Sequence, residues 1–187
     1  MSIKKKLKIG IVGSTGSVGK TSLDIISKFS KNFKVELLVC DKNYRIILSQ
    51  INKFAPRYVF INNKKSFNLV NDNIKNKKII ILNDYKKFEQ LLNLKFDKVI
   101  LAIPSIVGLK YAFLFAKHSK QLLVANKESI VCGGKIFLDR AKLYKCKITS
   151  IDSEHYCIAQ SLLENKIEQI DSVYLTASGG PFLGMDS

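Results

Sequence analysis

Continuous apolar runs recur along the chain and alternate with stretches whose apolar residues fall at helical spacing. Leu7 to Val12, Val35 to Val39, Tyr58 to Ile61, Ile79 to Leu82, Lys98 to Ile103 and Gln121 to Ala125 read as strands. Helices are predicted between them over Gly19 to Phe29, Tyr44 to Phe54, Ser66 to Ile74, Tyr85 to Leu92 and Gly108 to Lys117, and after them over Ile136 to Tyr144. A strand with no polar face is buried on both sides. The alternation therefore predicts an α/β fold, a doubly wound parallel sheet with helices on both faces. Ile148, Thr149 and Ile151 then lead a further strand end into an acidic turn, His155 to Leu163 continues as a helix, and Ser172 to Thr176 is the last strand candidate. No internal repeat or low-complexity linker interrupts the pattern.

Composition narrows the function classes. The 187 residues are 47% hydrophobic, ample for a core, and no run approaches the roughly 20 apolar residues of a membrane span. The basic start, Met1-Ser2-Ile3-Lys4-Lys5-Lys6, passes directly into a strand rather than a signal-peptide apolar region, so a cytoplasmic location and no membrane partner are expected. Net charge is +16, yet the positives are scattered lysines among Asn and Ile, without interleaved aromatic residues. This is a solvated surface that attracts anionic ligands, and no nucleic-acid partner is expected. Cys40, Cys132, Cys146 and Cys157 form no C-x-x-C pair and are expected as reduced, buried thiols.

Candidate chemistry sits at the strand ends. Gly13-Ser14-Thr15-Gly16-Ser17-Val18-Gly19 follows the first strand and opens the first helix, where glycines let backbone approach a pyrophosphate at the helix N-terminus. The spacing is G-x-x-G-x-x-G, a variant of the dinucleotide fingerprint. Gly19-Lys20-Thr21 also ends like a P-loop, but the first glycine of G-x-x-x-x-G-K-[ST] falls on Ser14. About 20 residues on, Asp41-Lys42-Asn43 stands where such folds read the adenosine ribose. Asp41 suits a free 2′-hydroxyl, Lys42 and Asn43 suit a 2′-phosphate, and an ordinary polar turn is the plain alternative.

Ala102-Ile103-Pro104-Ser105-Ile106-Val107-Gly108 and Ala125-Asn126-Lys127-Glu128-Ser129 are further strand ends, the second offering an amide, a cation and an acceptor, or else a capped turn. Asp152-Ser153-Glu154-His155 is read two ways. On an extended chain Asp152 and Glu154 point the same way and can hold Mg²⁺ or Mn²⁺; alternatively Asp152 or Ser153 caps the next helix. Thr176-Ala177-Ser178-Gly179-Gly180 presents hydroxyls and backbone amides to a phosphate, or forms a tight turn.

The succession G-S-T-G-S-V-G, A-N-K-E-S, D-S-E-H with a following Gln-Ser-Leu, and T-A-S-G-G-P-F resembles the 1-deoxy-D-xylulose 5-phosphate reductoisomerase family across this whole chain, which corresponds to the first half or so of a member. The resemblance implies a Rossmann-like NADPH-binding domain over residues 1–149 and, over 150–187, the beginning of an α+β catalytic domain. It implies an NADPH- and metal-dependent enzyme (Mg²⁺, Mn²⁺ or Co²⁺) that rearranges and reduces its sugar phosphate to 2-C-methyl-D-erythritol 4-phosphate in non-mevalonate isoprenoid synthesis, and a homodimer at full length. Carried over by motif, Thr15, Gly16, Ser17, Val18, Lys42, Asn43, Asn126 and Glu128 contact the cofactor. Lys127, Ser153, Glu154 and Ser178 contact the substrate, with Lys127 and Glu154 catalytic, and Asp152 and Glu154 are metal ligands.

Asp41 and Ser105 depart from the pattern, each standing where the family has a small residue, usually Gly. The chain also stops before the family's third metal carboxylate, the rest of the phosphate clamp and the flap with its Trp, so little turnover is expected of these 187 residues alone. A P-loop nucleotide-binding protein and a non-catalytic dinucleotide-binding remnant are the alternatives.

Overall fold

The computed structural model describes residues 5–163 and 167–174. Within them the chain divides into two compact units, Met1–Ile151 and Asp152–Ser187.

The first unit alternates strand and helix: β1 Leu7–Val12, α1 Ser17–Lys28, β2 Phe33–Cys40, α2 Tyr44–Phe54, β3 Tyr58–Ile61, α3 Lys64–Asn73, β4 Ile80–Leu82, α4 Tyr85–Leu91, β5 Lys98–Leu101, α5 Val107–His118, β6 Gln121–Val124, α6 Lys127–Leu143 and β7 Lys147–Ser150. All strands pair in parallel, in the order β4-β3-β2-β1-β5-β6-β7. The chain thus winds outward from β1 to β4, crosses back, and winds outward again from β5. The reversal opens a crevice beyond the carboxyl ends of β1 and β5, where open α/β sheets take their ligands.

Strands with apolar residues on both faces explain the two cores. On one face Ile9, Ile11, Leu38 and Val59 pack against Leu23 and Ile26 of α1, Ile47 and Ile51 of α2 and Val70 of α3. On the other, Val12, Leu37, Val39, Val99 and Leu122 pack against Phe88 of α4, Tyr111 and Phe115 of α5 and Phe137 of α6. Helices therefore cover both faces, as strands apolar on both sides require.

The second unit contains α7, Ser153–Leu163, and a short 3₁₀ turn, Ile167–Gln169. Ser172 to Tyr174, the described part of the last strand candidate, carries no strand. Ser178 and the rest of the T-A-S-G-G motif lie outside the described residues.

Several sequence expectations are corrected. Helix α6 begins at Lys127 rather than Ile136, and it is broken at Gly134 (φ 46°, ψ −140°). Before the break only Ser129 and Gly133 are buried, so Lys127 to Gly133 presents no apolar stripe to a periodicity reading. Helix α1 starts at Ser17, ahead of Gly19. Cys40 and Cys146 are buried, but Cys132, in α6, and Cys157, in α7, are exposed.

Candidate functional site

The turn between β1 and α1 is held tightly against the sheet. The backbone N–H groups of Gly13 and Ser14 both donate to Val39 O at 2.9 Å, and Gln50 of α2 donates from Nε2 to Ser14 O at 2.8 Å. Gly13 has φ +91° and sits so close to β5 that an added Cβ would meet Ala102 O at 2.6 Å. At Gly19 an added Cβ would collide with Gly13 O and lie 2.6 Å from Ser14 Cα, so only glycine lets α1 approach the strand this closely. These two glycines set the shape of the loop.

The third, Gly16, is the N-cap of α1. No side chain caps this helix, and its first turn has no acidic residue. The chain knows how to cap: Asn43, Asn63, Asp84 and Asn126 accept from the backbone N–H groups of Ile46, Ser66, Lys87 and Ser129 at the starts of α2, α3, α4 and α6. Only α1 and α5 in this unit begin without a side-chain cap. Gly16 and Val107, at those two starts, line one cleft of about 460 Å³. At α5 the Gly108 and Leu109 N–H groups are already used by Ser105 O and Ile106 O, at 3.1 and 3.0 Å. The start of α1 is therefore the open end, carrying the positive pole of a helix towards the crevice.

The cleft joins the ends of β1, β2, β3 and β5, with Thr15, Asp41, Asn62, Ile103, Lys110 and Tyr111 on its walls. Asn62 Nδ2 donates to Asp41 Oδ1 at 2.9 Å. Burial, then the Asp41 charge, pushes the Cys40 thiol up to about 12, which leaves it protonated and an inert piece of wall. Thr15 is half-buried, while Ser17 and Val18 are exposed on the first turn of α1. Lys42 is exposed beside the cleft, and Asn43 caps α2.

Asn126 is placed differently. Its side chain is buried, accepting from Ser129 N at 2.6 Å and donating from Nδ2 to Ile103 O and to Ser105 O, the latter at 2.8 Å. One amide thus caps α6 and locks the loop after β5. Lys127 and Glu128 follow in the first turn of α6.

In the second unit the acidic turn starts a helix rather than continuing a strand. Asp152 Oδ2 accepts from His155 N at 3.1 Å and bonds His155 Nδ1 at 2.7 Å, which is N-cap geometry for α7. Ser153 Oγ donates to Glu154 Oε2 at 2.9 Å. The extended-chain placement of Asp152 and Glu154 is therefore corrected: one caps the helix and the other lies in its first turn, because the chain turns helical at Ser153. Asp152 Oδ1 is buried with no hydrogen-bond partner. A bare carboxylate oxygen of that kind fits a hard cation. Among the described residues, no group of three or more His, Cys, Asp or Glu is gathered in metal-binding range.

Asn62, Lys110 and Tyr111 escaped the sequence reading. Asn62 stands at the carboxyl end of β3, where the carboxyl-end rule applies directly, and the same rule, applied to Ala102 to Gly108 and extended by one helical turn, reaches Lys110 and Tyr111.

Comparison with known proteins gives consistent matches. Sequence models of the 1-deoxy-D-xylulose 5-phosphate reductoisomerase family match residues 9–134, and of the C-terminal domain of the same family residues 148–187. The chain is 40% identical over 179 residues to the 1-deoxy-D-xylulose 5-phosphate reductoisomerase of Sulfurihydrogenibium sp. (strain YO3AOP1), covering 96% of this chain and 45% of that protein. It is 38% identical over 177 residues to that of Pelagibacter ubique, covering 94% and 46%. Among solved structures it is similar to a DOX-P reductoisomerase in complex with NADPH, fosmidomycin and magnesium (TM-score 0.75, 27% identity, 82% of this chain and 38% of that one). The fold also matches the Zymomonas mobilis reductoisomerase in complex with NADPH (TM-score 0.85, 22% identity, 97% of this chain and 48% of that one). The chain spans about half the length of the curated relatives it matches.

Proposed function

Because the chain belongs to the 1-deoxy-D-xylulose 5-phosphate reductoisomerase family, we propose that it is the cofactor-binding half, with the start of the catalytic half, of an enzyme that rearranges and reduces 1-deoxy-D-xylulose 5-phosphate to 2-C-methyl-D-erythritol 4-phosphate. Residues 1–149 hold NADPH and residues 150–187 begin the metal- and substrate-binding part. The observation that carries this reading is the uncapped start of α1, opening on the crevice at the reversal of strand order. A pyrophosphate placed there meets backbone N–H groups and a helix dipole and encounters no first-turn carboxylate.

Thr15, Gly16, Ser17 and Val18 take the pyrophosphate; Lys42 and Asn43 take the adenosine ribose, and Asn126 and Glu128 complete the cofactor contacts from the end of β6. Asp152, with its unpartnered Oδ1, and Glu154 hold a divalent cation, Mg²⁺, Mn²⁺ or Co²⁺. That cation supplies Lewis-acid polarisation of the substrate's ketone and neighbouring hydroxyl. Lys127, Ser153, Glu154 and Ser178 orient the sugar phosphate, Lys127 providing positive charge and Glu154 a carboxylate at the reacting carbons. The whole enzyme works in the cytoplasm as a homodimer. No helix of the described residues is long and apolar enough to cross a membrane.

Titration of the 187-residue chain with NADPH, NADH and ATP, by cofactor fluorescence and calorimetry, tests the reading. Saturable NADPH binding is expected. Magnesium-dependent ATP binding in its absence would overturn it in favour of the P-loop reading at Lys20 and Thr21.

A further inference from the structure

Asp41 stands where dinucleotide folds read the ribose, and a carboxylate there accepts a 2′-hydroxyl but repels a 2′-phosphate. Its hydrogen-bond partner is the neutral amide of Asn62, so no cation cancels the charge from that side. A second residue of the same cleft bears on this. Lys110 lies in the first turn of α5, on the wall that also carries Tyr111. Its ammonium sits 4.9 Å from the ring centre of Tyr85 and 5.0 Å from that of Tyr111.

The rings are firmly held. Tyr85 and Tyr111 meet edge to face at 5.6 Å, both pack on Phe60, and the Tyr85 hydroxyl donates to Lys110 O at 3.2 Å. Among the described residues no carboxylate comes within ion-pair range of Lys110. An ammonium braced by ring faces rather than by a carboxylate offers its N–H donors to an incoming anion. Asp41 is electrostatically close to this brace: burial first, then Tyr85, then Asp41 push the Tyr111 hydroxyl upward. The cation and the carboxylate therefore line the same cleft.

We propose that Lys110 is the specificity residue for the adenosine end of the cofactor, its ammonium pairing with the 2′-phosphate and offsetting the repulsion of Asp41. This rests on the dinucleotide reading of the cleft. Lys42, exposed and without such a brace, is the weaker contact.

The test is calorimetric titration of the full chain, wild type and variants, with adenosine 2′,5′-bisphosphate and with ADP. Lys110→Met keeps the stem against the rings and removes the charge. It should weaken the bisphosphate about tenfold, the worth of one charge-assisted hydrogen bond, and change ADP less than about twofold. Lys110→Arg should retain the preference, and Asp41→Asn should tighten the bisphosphate alone by about threefold. Equal weakening of both ligands by Lys110→Met, or no weakening of either, overturns the proposal. Bisphosphate binding with Lys110→Met unchanged leaves the dinucleotide reading standing, whereas a wild-type chain that binds neither ligand overturns both. Thermal melts of each variant accompany the titrations, and should Lys110→Met not fold, the Arg and Asp41→Asn arms decide.

Discussion

Helices α1 and α6 each begin directly after an interior strand of the same parallel sheet, yet their N-termini are treated in opposite ways. At α6 a buried Asn126 fills the space, satisfies the Ser129 N–H and ties down the loop after β5 through two carbonyls. At α1 the corresponding position is Gly16, with no side chain to cap anything. Capping is inexpensive and this chain does it elsewhere with Asn and Asp, so the bare end marks where the donors are kept for something outside the protein. The capped end does a structural job for the bare one. By fixing Ile103 and Ser105, Asn126 positions the wall that faces the glycine loop.

The largest effect is expected on removing that wall tie. Asn126→Ala uncaps α6, takes the Asn126 donor from Ile103 O and leaves Ser105 O with the Gly108 N–H alone, which should cost about 2 kcal/mol in denaturant melts. NADPH affinity should fall with it, and Asn126→Asp, which keeps the cap but loses the donors, should lie between. A stable Asn126→Ala chain with unaltered binding would dissolve the link between the two helix starts.

Giving α1 the cap it lacks inverts the comparison. Gly16→Asp should raise stability by a few tenths of a kcal/mol, while a carboxylate at the phosphate position should weaken NADPH binding by about tenfold or more. Opposite signs in the melt and in the titration are the signature sought; a fall in both would mean that Gly16 is needed for backbone shape alone. The acidic turn extends the series to α7, where Asp152 caps with Oδ2 and keeps Oδ1 unpartnered. Asp152→Asn should preserve the helix by circular dichroism and weaken Mn²⁺ binding, followed by electron paramagnetic resonance, by about tenfold.

The strands were legible because the central ones are apolar on both faces, and a parallel sheet covered on both sides is the simple use of such runs. The glycine loop was legible for the same kind of reason: Gly13 and Gly19 occupy positions that a Cβ cannot share with Ala102 O or Ser14. Helix α6 was half missed, since Lys127 to Gly134 is polar at its start, glycine-paired at its end and carries Val131 outward, more than 70% exposed. The acidic turn shows a different limit. Asp152 and Glu154 are spaced alike in a strand and in a cap followed by a first turn, and only the point where β7 gives way to α7 separates the two. Lys110 was invisible because its brace comes from Tyr85, a residue of another helix that the fold alone brings beside it.

The smallest effect tests the backbone that Asn126 holds. Ser105 has φ +63°, a left-handed conformation that costs a residue with a Cβ about 1 kcal/mol, and the position is one where the family pattern has Gly. Asn126 Nδ2 grips Ser105 O and the Gly108 N–H donates to it, so the strained residue is fixed from both sides. Ser105→Gly removes the strain but returns freedom to the unfolded chain, and the net gain should be about 0.5 kcal/mol, a rise in melting temperature of roughly 1–2 °C. In the Asn126→Ala background the grip is gone, the backbone relaxes with serine in place, and the gain should shrink towards zero. Such non-additivity between residues in contact is what a double-mutant cycle resolves. Equal gains in both backgrounds would show that the left-handed turn is set by the loop itself, and that Asn126 serves α6 alone.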